Sequence, residues 1–231
     1  MDGNAGGQPV SHAPARAQAG RTRIARAPRA AWAAAAKRAL DFTASAIGLV
    51  CLSPLLALLA AAIRLESPGA VLFYHERVGL RGRRFRCLKL RTMRADAEEQ
   101  LRADATMFEE YRLNHFKIPD DRDPRVTPVG RFLRRASLDE LPQLWNVLVG
   151  EMSLVGPRPV IDEELGLYNG SRDLLLSVRP GITGAWAVNG RHAVGYPERC
   201  ELELRYVRAW SLRGDFGILV RTLAAVVSPG G

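Results

Sequence analysis

Residues 39–63, ALDFTASAIGLVCLSPLLALLAAAI, carry one charged side chain, Asp41, near their start. About 20 apolar residues suffice to cross the hydrocarbon core of a bilayer as a helix, so this run is long enough. Two features argue against a simple crossing. Ser53-Pro54 stands in its middle. Pro54 has no N–H and its ring crowds the preceding turn, which predicts a kink or break, and the Ser53 hydroxyl is placed to bond a carbonyl that the break frees. Both flanks are basic, with Arg21, Arg23, Arg26, Arg29, Lys37 and Arg38 before the run and Arg64, Arg77, Arg81, Arg83, Arg84, Arg86, Lys89 and Arg91 after it. The tendency of Lys and Arg to stay inside would keep both ends cytoplasmic. A re-entrant helix-hairpin that bends at Ser53 and Pro54 and leaves by the face it entered meets both observations. An ordinary spanning helix with a tolerated proline is the alternative, and these features alone leave the two open.

The run divides the chain of 231 residues into three parts. Residues 1–36 are rich in Ala, Arg, Gly and Pro and poor in bulky apolar side chains, so they cannot offset their ordering entropy and are expected to form a disordered basic tail. No small-residue cleavage site follows the apolar run, so no cleaved leader is expected. Residues 37–66 are expected to form the membrane hairpin and 67–231 a globular domain. The formal net charge of +9 calls for a polyanionic partner: nucleic acid, an anionic membrane surface or a phosphorylated substrate. Cys51, Cys87 and Cys200 are dispersed and odd in number, which predicts free thiols in a reducing compartment. The four histidines have no partner at metal-ligand spacing, and neither GxxxxGK[ST] nor GxGxxG occurs.

The globular part reads as helix-rich α/β. Strands are predicted over 70–78 and 84–91 around a turn at Gly79 to Gly82, one or two helices over 94–117, and a short helix at VGRFLRRA. A helix over roughly 139–149 closes at Gly150, another covers 160–176, RPGITG is a turn, and GAWAVNGR is a short strand. Helices over 197–211 and 214–227 end the chain, the second apolar enough for a membrane interface.

Within RRASLDELPQLWN, Asp139 and Glu140 stand side by side after Arg134 and Arg135. Ser137-x-x-Glu140 fits a capping box, but that accounts for neither Asp139 nor the arginines. Pro142 favours a helix start, which places both acids at an N-terminus, where negative charge and bound phosphate are favoured. A carboxylate kept ionised there can attack phosphorus, and its neighbour can hold Mg²⁺, which takes one or two carboxylates plus phosphate oxygens. Arg158, between two prolines in GPRP, is a stiffened guanidinium fork suited to phosphate. In LKLRTM, Lys89 and Arg91 at i and i+2 point the same way on a strand and would line one wall of an anionic site; an edge strand defended by lysine would look the same.

Together, the Ser-Pro-broken apolar helix, SPGAVLFYHERVG, LKLRTM, DPRVTPVGRFLRRASLDELPQLWNVLVGEMSLVGPRP and RPGITGAWAVNGR resemble the bacterial sugar transferases, the monotopic polyprenyl-phosphate phosphoglycosyl transferases. The resemblance covers residues 37–229. It implies a helix-rich α+β monotopic membrane protein, with a small sheet surrounded by amphipathic interfacial helices. It implies transfer of a sugar-1-phosphate from a nucleoside diphosphate sugar, usually UDP-linked, to a polyprenyl phosphate such as undecaprenyl phosphate, with release of UMP and a requirement for Mg²⁺. By the same resemblance Asp139 is the nucleophile of a covalent phospho-aspartate, Glu140 assists it, and both acids serve the metal. Arg134, Arg158, Lys89 and Arg91 bind substrate phosphate, and Ser53 and Pro54 mark the hairpin bend. The implied location is the bacterial inner membrane, with the catalytic domain on the cytoplasmic face and membrane lipids as partners. Two positions depart from the family pattern: Ala187 replaces a frequent Gln, and Glu203 stands where Asp is usual. These bear on donor recognition, so the sugar is left open, as are the pathway and the oligomeric state, a homo-oligomer included.

Two other classes are weighed. A catalytically silent membrane scaffold for glycan assembly would not need Asp139, Glu140, Arg134 and Arg158 together. A membrane-anchored nucleic-acid binder would suit the charge, but no RNP-like or helix-turn-helix pattern is visible and the basic residues crowd beside the apolar run, so no nucleic-acid partner is expected.

Overall fold

A computed structural model describes residues 31–113, 118–119, 122–190 and 194–227. Most of the segment expected to be a disordered tail, residues 1–30, lies outside the described residues. The rest is helix-rich α+β.

The apolar run forms one continuous helix, α1 (Ala31–Glu66), with Pro54 inside it, rather than two halves that double back. Ser53 explains how the helix passes its proline. In an unbroken helix the N–H of residue 54 would bond the carbonyl of residue 50, and Ser53 Oγ donates to that same Val50 carbonyl at 2.8 Å. Along α1, Asp41, Ser45, Leu59 and Ile63 are buried, and a side chain at Gly48 would meet Leu144. The steps of three and four residues make one stripe facing the globular domain. Leu40, Ile47, Val50, Leu58 and Leu65 are exposed.

Polar side chains fix the start of α1. Lys37 Nζ donates to the Val155 carbonyl at 3.0 Å and pairs with Asp215 at 2.6 Å. Arg38 donates to the carbonyls of Val147 and Leu148, and the Leu154 N–H donates to Asp41. At the other end, Leu59 and Ile63 pack with Leu90 and Leu133, flanked by Leu55, Val71, Val129 and Leu138.

After α1 come β1 (Leu72–Val78) and β2 (Arg84–Leu90), an antiparallel hairpin in the register Leu72↔Leu90 to Val78↔Arg84. The predicted helical stretch resolves into α2 (Ala97–Ala103) and α3 (Ala105–Leu113), with 114–117 outside the described residues. Next come α4 (Pro128–Ala136), a 3₁₀ turn over Leu138–Glu140, and α5 (Gln143–Val149). The helix expected over 139–149 thus starts later, and the acidic pair precedes it.

β3 (Ser153–Val155), unforeseen in the sequence, pairs in parallel with β4 (Gly181–Thr183), so RPGITG is part strand and not only a turn. A Cβ on Gly181 would lie 2.1 Å from the Gly156 nitrogen, so only glycine lets these backbones meet. Among the described residues the expected small sheet structure is present as two two-stranded pieces.

The helix expected over 160–176 is two short helices, α6 (Asp162–Leu165) and α7 (Arg172–Leu175), around a 3₁₀ turn over Gly166–Tyr168. Asn169 and Gly170, both at positive φ, break the continuity. The expected strand at GAWAVNGR is instead the one-turn helix α8 (Ala185–Val188). The chain ends in α9 (Glu198–Arg208) and α10 (Leu212–Val227). On α10 Phe216, Val220 and Leu223 leave an exposed apolar stripe. All three cysteines are free, and burial raises the Cys87 thiol pKa to about 11, the behaviour of a structural thiol.

Candidate active site

The site is built around the turn that joins α4 to α5. Thr127 caps α4 by accepting from the Gly130 N–H at 2.9 Å, with Pro128 at the first helical position. Gly130 lies flat on β2's continuation: a Cβ there would sit 2.0 Å from the Thr92 carbonyl oxygen. This close approach brings α4's last turn to Thr92, whose hydroxyl accepts from Arg134 Nε at 2.8 Å.

α4 ends at Ser137, which holds a left-handed conformation (φ 56) and caps the helix through its N–H rather than its side chain. The capping box expected between Ser137 and Glu140 is therefore not formed: a residue at positive φ here closes the helix behind it instead of opening the one ahead. A non-glycine residue in this region stores backbone strain beside the acidic pair. Leu138 then packs against the apolar cluster of Leu59, Ile63, Leu90 and Leu133, while Asp139, the next residue, is buried and meets Lys89 of β2.

Asp139 is buried and Lys89 meets it. Lys89 Nζ bridges the two acids, 3.3 Å from Asp139 and 2.8 Å from Glu140. Burial pushes the Asp139 carboxyl above its ordinary range, and Glu140 adds to this; Lys89 and Arg134 oppose it. Burial depresses the Lys89 ammonium, but Glu140 and Asp139 outweigh it and hold its pKa above the usual lysine value. The result is a cation locked between two adjacent carboxylates.

Asn146 of α5 holds β2 in place. Its side chain accepts from the Leu88 N–H (3.0 Å) and donates to the Arg86 carbonyl (2.8 Å) and to Glu151 (2.6 Å), so it completes the hydrogen bonding of the strand that carries Lys89. One signal for it was present in the sequence: an amide inside the apolar stretch LWNVLV.

Arg158 forms a further wall. Its N–H donates to Glu203 at 3.1 Å and its guanidinium lies over the Trp186 ring at 5.2 Å. Its charge is felt at Lys89 and at His75. Glu203 is fully buried and also accepts a short hydrogen bond from the Tyr168 hydroxyl.

The structure thus brings Lys89, Asp139 and Glu140 into direct contact and sets Arg134 and Arg158 within electrostatic reach. Arg91 is used elsewhere. β2 ends at Leu90, and the Arg91 guanidinium donates to the carbonyls of Ser67 and Pro68 and to the Ser67 hydroxyl, pinning the connection between α1 and β1. Ser53 and Pro54 lie exposed in α1, on no wall of this site. Among the described residues, no three His, Cys, Asp or Glu side chains gather as a ready metal cage.

Comparison with known proteins follows the same outline. A model of the family described as "Bacterial sugar transferase" matches residues 32–229. The chain is 44% identical over 195 residues to the "Exopolysaccharide production protein ExoY" of Rhizobium meliloti (strain 1021), covering 83% of this chain and 85% of that protein. It is 44% identical over 199 residues to a "UDP-galactose-lipid carrier transferase" of Erwinia amylovora, covering 84% of this chain but 41% of that longer protein. Over 195 residues it is 41% identical to the "Undecaprenyl-phosphate galactose phosphotransferase" of Salmonella typhimurium, covering 83% of this chain and 40% of that protein. With the family match spanning nearly every described residue, the chain belongs to the bacterial sugar transferase family.

Proposed function

We propose that the protein transfers a sugar-1-phosphate from a nucleoside diphosphate sugar, UDP-linked, to undecaprenyl or a related polyprenyl phosphate, through a covalent phospho-aspartate at Asp139. The coarser statement, a phosphoglycosyl transferase serving polysaccharide synthesis, follows from the family and from relatives whose names include undecaprenyl-phosphate galactose and glucose phosphotransferases. The observation that carries the finer one is the bridge of Lys89 between buried Asp139 and Glu140, with Arg134 and Arg158 in reach.

In the first half-reaction an Asp139 oxygen attacks the sugar-bearing phosphorus. The bond from that phosphorus to the bridging oxygen breaks, and the nucleoside monophosphate leaves with the electron pair. In the second, a phosphate oxygen of the lipid acceptor attacks the same phosphorus, and the Asp139 carboxylate departs unchanged. The cation at Lys89 opposes the rise that burial imposes on the Asp139 carboxyl and so favours the ionised form that a nucleophile needs. Arg134 and Arg158 offer forks to the phosphoryl oxygens. Asp139 and Glu140 are the carboxylates that would hold Mg²⁺ beside the donor's phosphates. When bound, it would neutralise phosphate charge and orient the donor.

The same reading places the protein on the cytoplasmic face of the inner membrane, entering one leaflet without crossing. Support comes from α1, which touches the globular domain at both ends: Lys37, Arg38 and Asp41 at one, Leu59 and Ile63 at the other. At 1.5 Å per residue those ends lie roughly 30–40 Å apart, about a bilayer's thickness. A straight crossing would carry one end to the far side and tear it from the domain. The exposed apolar faces of α1 and α10 are the surfaces that would meet lipid.

The test is nucleotide release. Detergent-solubilised protein, Mg²⁺, undecaprenyl phosphate and a panel of UDP-sugars are expected to give lipid-dependent UMP with at least one donor and none with Asp139→Asn. Folded protein silent with every nucleotide sugar would instead support a scaffold.

A further inference from the structure

Behind Lys89 the site continues into a second group of charges. Arg199 of α9 lies over the other guanidinium's aromatic support: its Cζ is 4.9 Å from the Trp186 ring centroid and 5.2 Å from that of Tyr196. Arg158 and Arg199 therefore share one indole. Arg77 of β1 is a third member, close enough for the charges of Arg158 and Arg199 to act on it. The side chains of Arg77 and Arg199 are only 13% and 11% exposed, which takes these two charges largely out of water.

The carboxylates beside them do not satisfy the cluster. Glu164 lies 3.7 Å from Arg77, and Glu203 lies 3.6 Å from Arg199 Nε, within ion-pair range but too far for a hydrogen bond. Glu203 already spends its oxygens on the Arg158 N–H and the Tyr168 hydroxyl. Among the described residues, Arg158 Nε, Arg199 Nε and Arg199 Nη2 are buried donors with no hydrogen-bond partner. A guanidinium cannot shed its proton to escape this cost. Three half-buried forks, with buried unpartnered donors on two of them, against two partly engaged acids form a site that a multivalent anion would complete.

We propose that Arg199, seated with Arg158 on Trp186, binds the phosphate of the leaving nucleoside monophosphate. The assignment rests on the phosphotransfer reading above. When the bridging bond breaks, the departing phosphate gains a full negative charge, while the sugar phosphate stays on Asp139. Lys89 is committed to the Asp139 and Glu140 side. The unpaired Arg199 donors, which share Trp186 with Arg158, are assigned to the other phosphate, where preorganised forks stabilise charge as it develops. Trp186 and Tyr196 hold the guanidinium plane, so little ordering remains on binding.

The probe is UMP, titrated calorimetrically into the Asp139→Asn protein with Mg²⁺, with and without Arg199→Gln. The change is expected to weaken UMP by about 10- to 100-fold, the worth of a charged hydrogen bond. With Asp139 restored, the KM for the UDP-sugar is expected to rise by a similar factor while the KM for undecaprenyl phosphate stays within about twofold. A residue that only packs Trp186 would not split the two substrates. UMP affinity within about twofold of the parent, or equal rises in both KM values, overturns the proposal. If Arg199→Gln lacks a cooperative unfolding transition, Arg199→Lys decides: it keeps the charge without the fork and is expected to lose about fivefold or more in UMP affinity, and an undiminished affinity overturns the assignment. A wild-type protein that releases no nucleotide from any donor defeats the phosphotransfer reading itself. Turnover with UMP binding indifferent to Arg199 defeats this assignment alone.

Discussion

Replacing Lys89 with Met keeps the length of the side chain and removes its charge. In the folded protein that charge sits 3.3 Å from Asp139 and 2.8 Å from Glu140. With an effective dielectric of about 20, these distances correspond to attractions of about 5 and 6 kcal/mol. The Lys89 side chain is 30% exposed, so solvent screens much of this. A net effect on Asp139 of about 1.5–3 kcal/mol is reasonable, or roughly one to two pH units at about 1.4 kcal/mol per unit. Its sign is fixed. Burial already raises the Asp139 pKa, Lys89 opposes that rise, and removing Lys89 lets it climb further. The proposed nucleophile is then ionised only at higher pH. The assay is kcat/KM for the nucleotide sugar from pH 5 to 9. For Lys89→Met the acidic limb is expected to move upward by about one to two units, with part of the lost activity regained at the alkaline end. A profile lowered equally at every pH, its limb unmoved, would refute the reasoning. Lys89 would then act on substrate phosphate and not on the ionisation of the pair.

Asn146→Ala leaves the Leu88 N–H and the Arg86 carbonyl without their partner and is expected to cost about 2–4 kcal/mol, read as a lower urea midpoint. Gly130→Ala puts a methyl 2.0 Å from the Thr92 oxygen and is expected to destabilise by about 1–3 kcal/mol, with a loss of activity as α4 is pushed from β2. Burial raises the folded pKa of Glu203 above its ordinary 4.5, against the pull of Tyr168 and Arg199. The unfolded chain then loses this proton first, so stability falls as pH rises from 4.5 through the folded value; Glu203→Gln is expected to flatten that part of the curve of urea midpoint against pH.

Local signals carried much of the reading. The hairpin of β1 and β2 followed from β-formers around glycine turns, and the Asp139-Glu140 pair stood out because a capping role could explain only one of its two acids. Errors arose where tertiary contact overrode local preference. GAWAVNGR has strand-like residues, yet Gly184 and the pairing of β4 with β3 leave room for only one helical turn over Ala185–Val188. The i, i+2 argument placed Arg91 with Lys89, but the strand stops between them, and nearby carbonyls compete for the guanidinium. Arg199 escaped notice because nothing in PERCELEL marks it. Its significance comes from Trp186, some dozen positions earlier, and from Glu203, one helical turn on. Glu203 itself was noted as a departure from the family pattern; here its longer arm reaches both the Arg158 backbone and Tyr168.

Leu138 packs against the apolar cluster to which α1 contributes Leu59 and Ile63, and Asp139 is the next residue. One peptide unit therefore separates the proposed nucleophile from the cluster that anchors α1, the element proposed to meet lipid. On the proposed placement, the immersion depth of α1 becomes the gauge that sets Asp139's height above the acyl chains. A spanning protein must match the full thickness of its bilayer. A gauge resting in one leaflet has nothing to match on the far side. The acceptor's phosphate rides at the level of the headgroups, and so does the carboxylate. Bilayers of different thickness would then be served alike, whereas headgroup packing, which alters how deeply α1 settles, would act directly on the encounter.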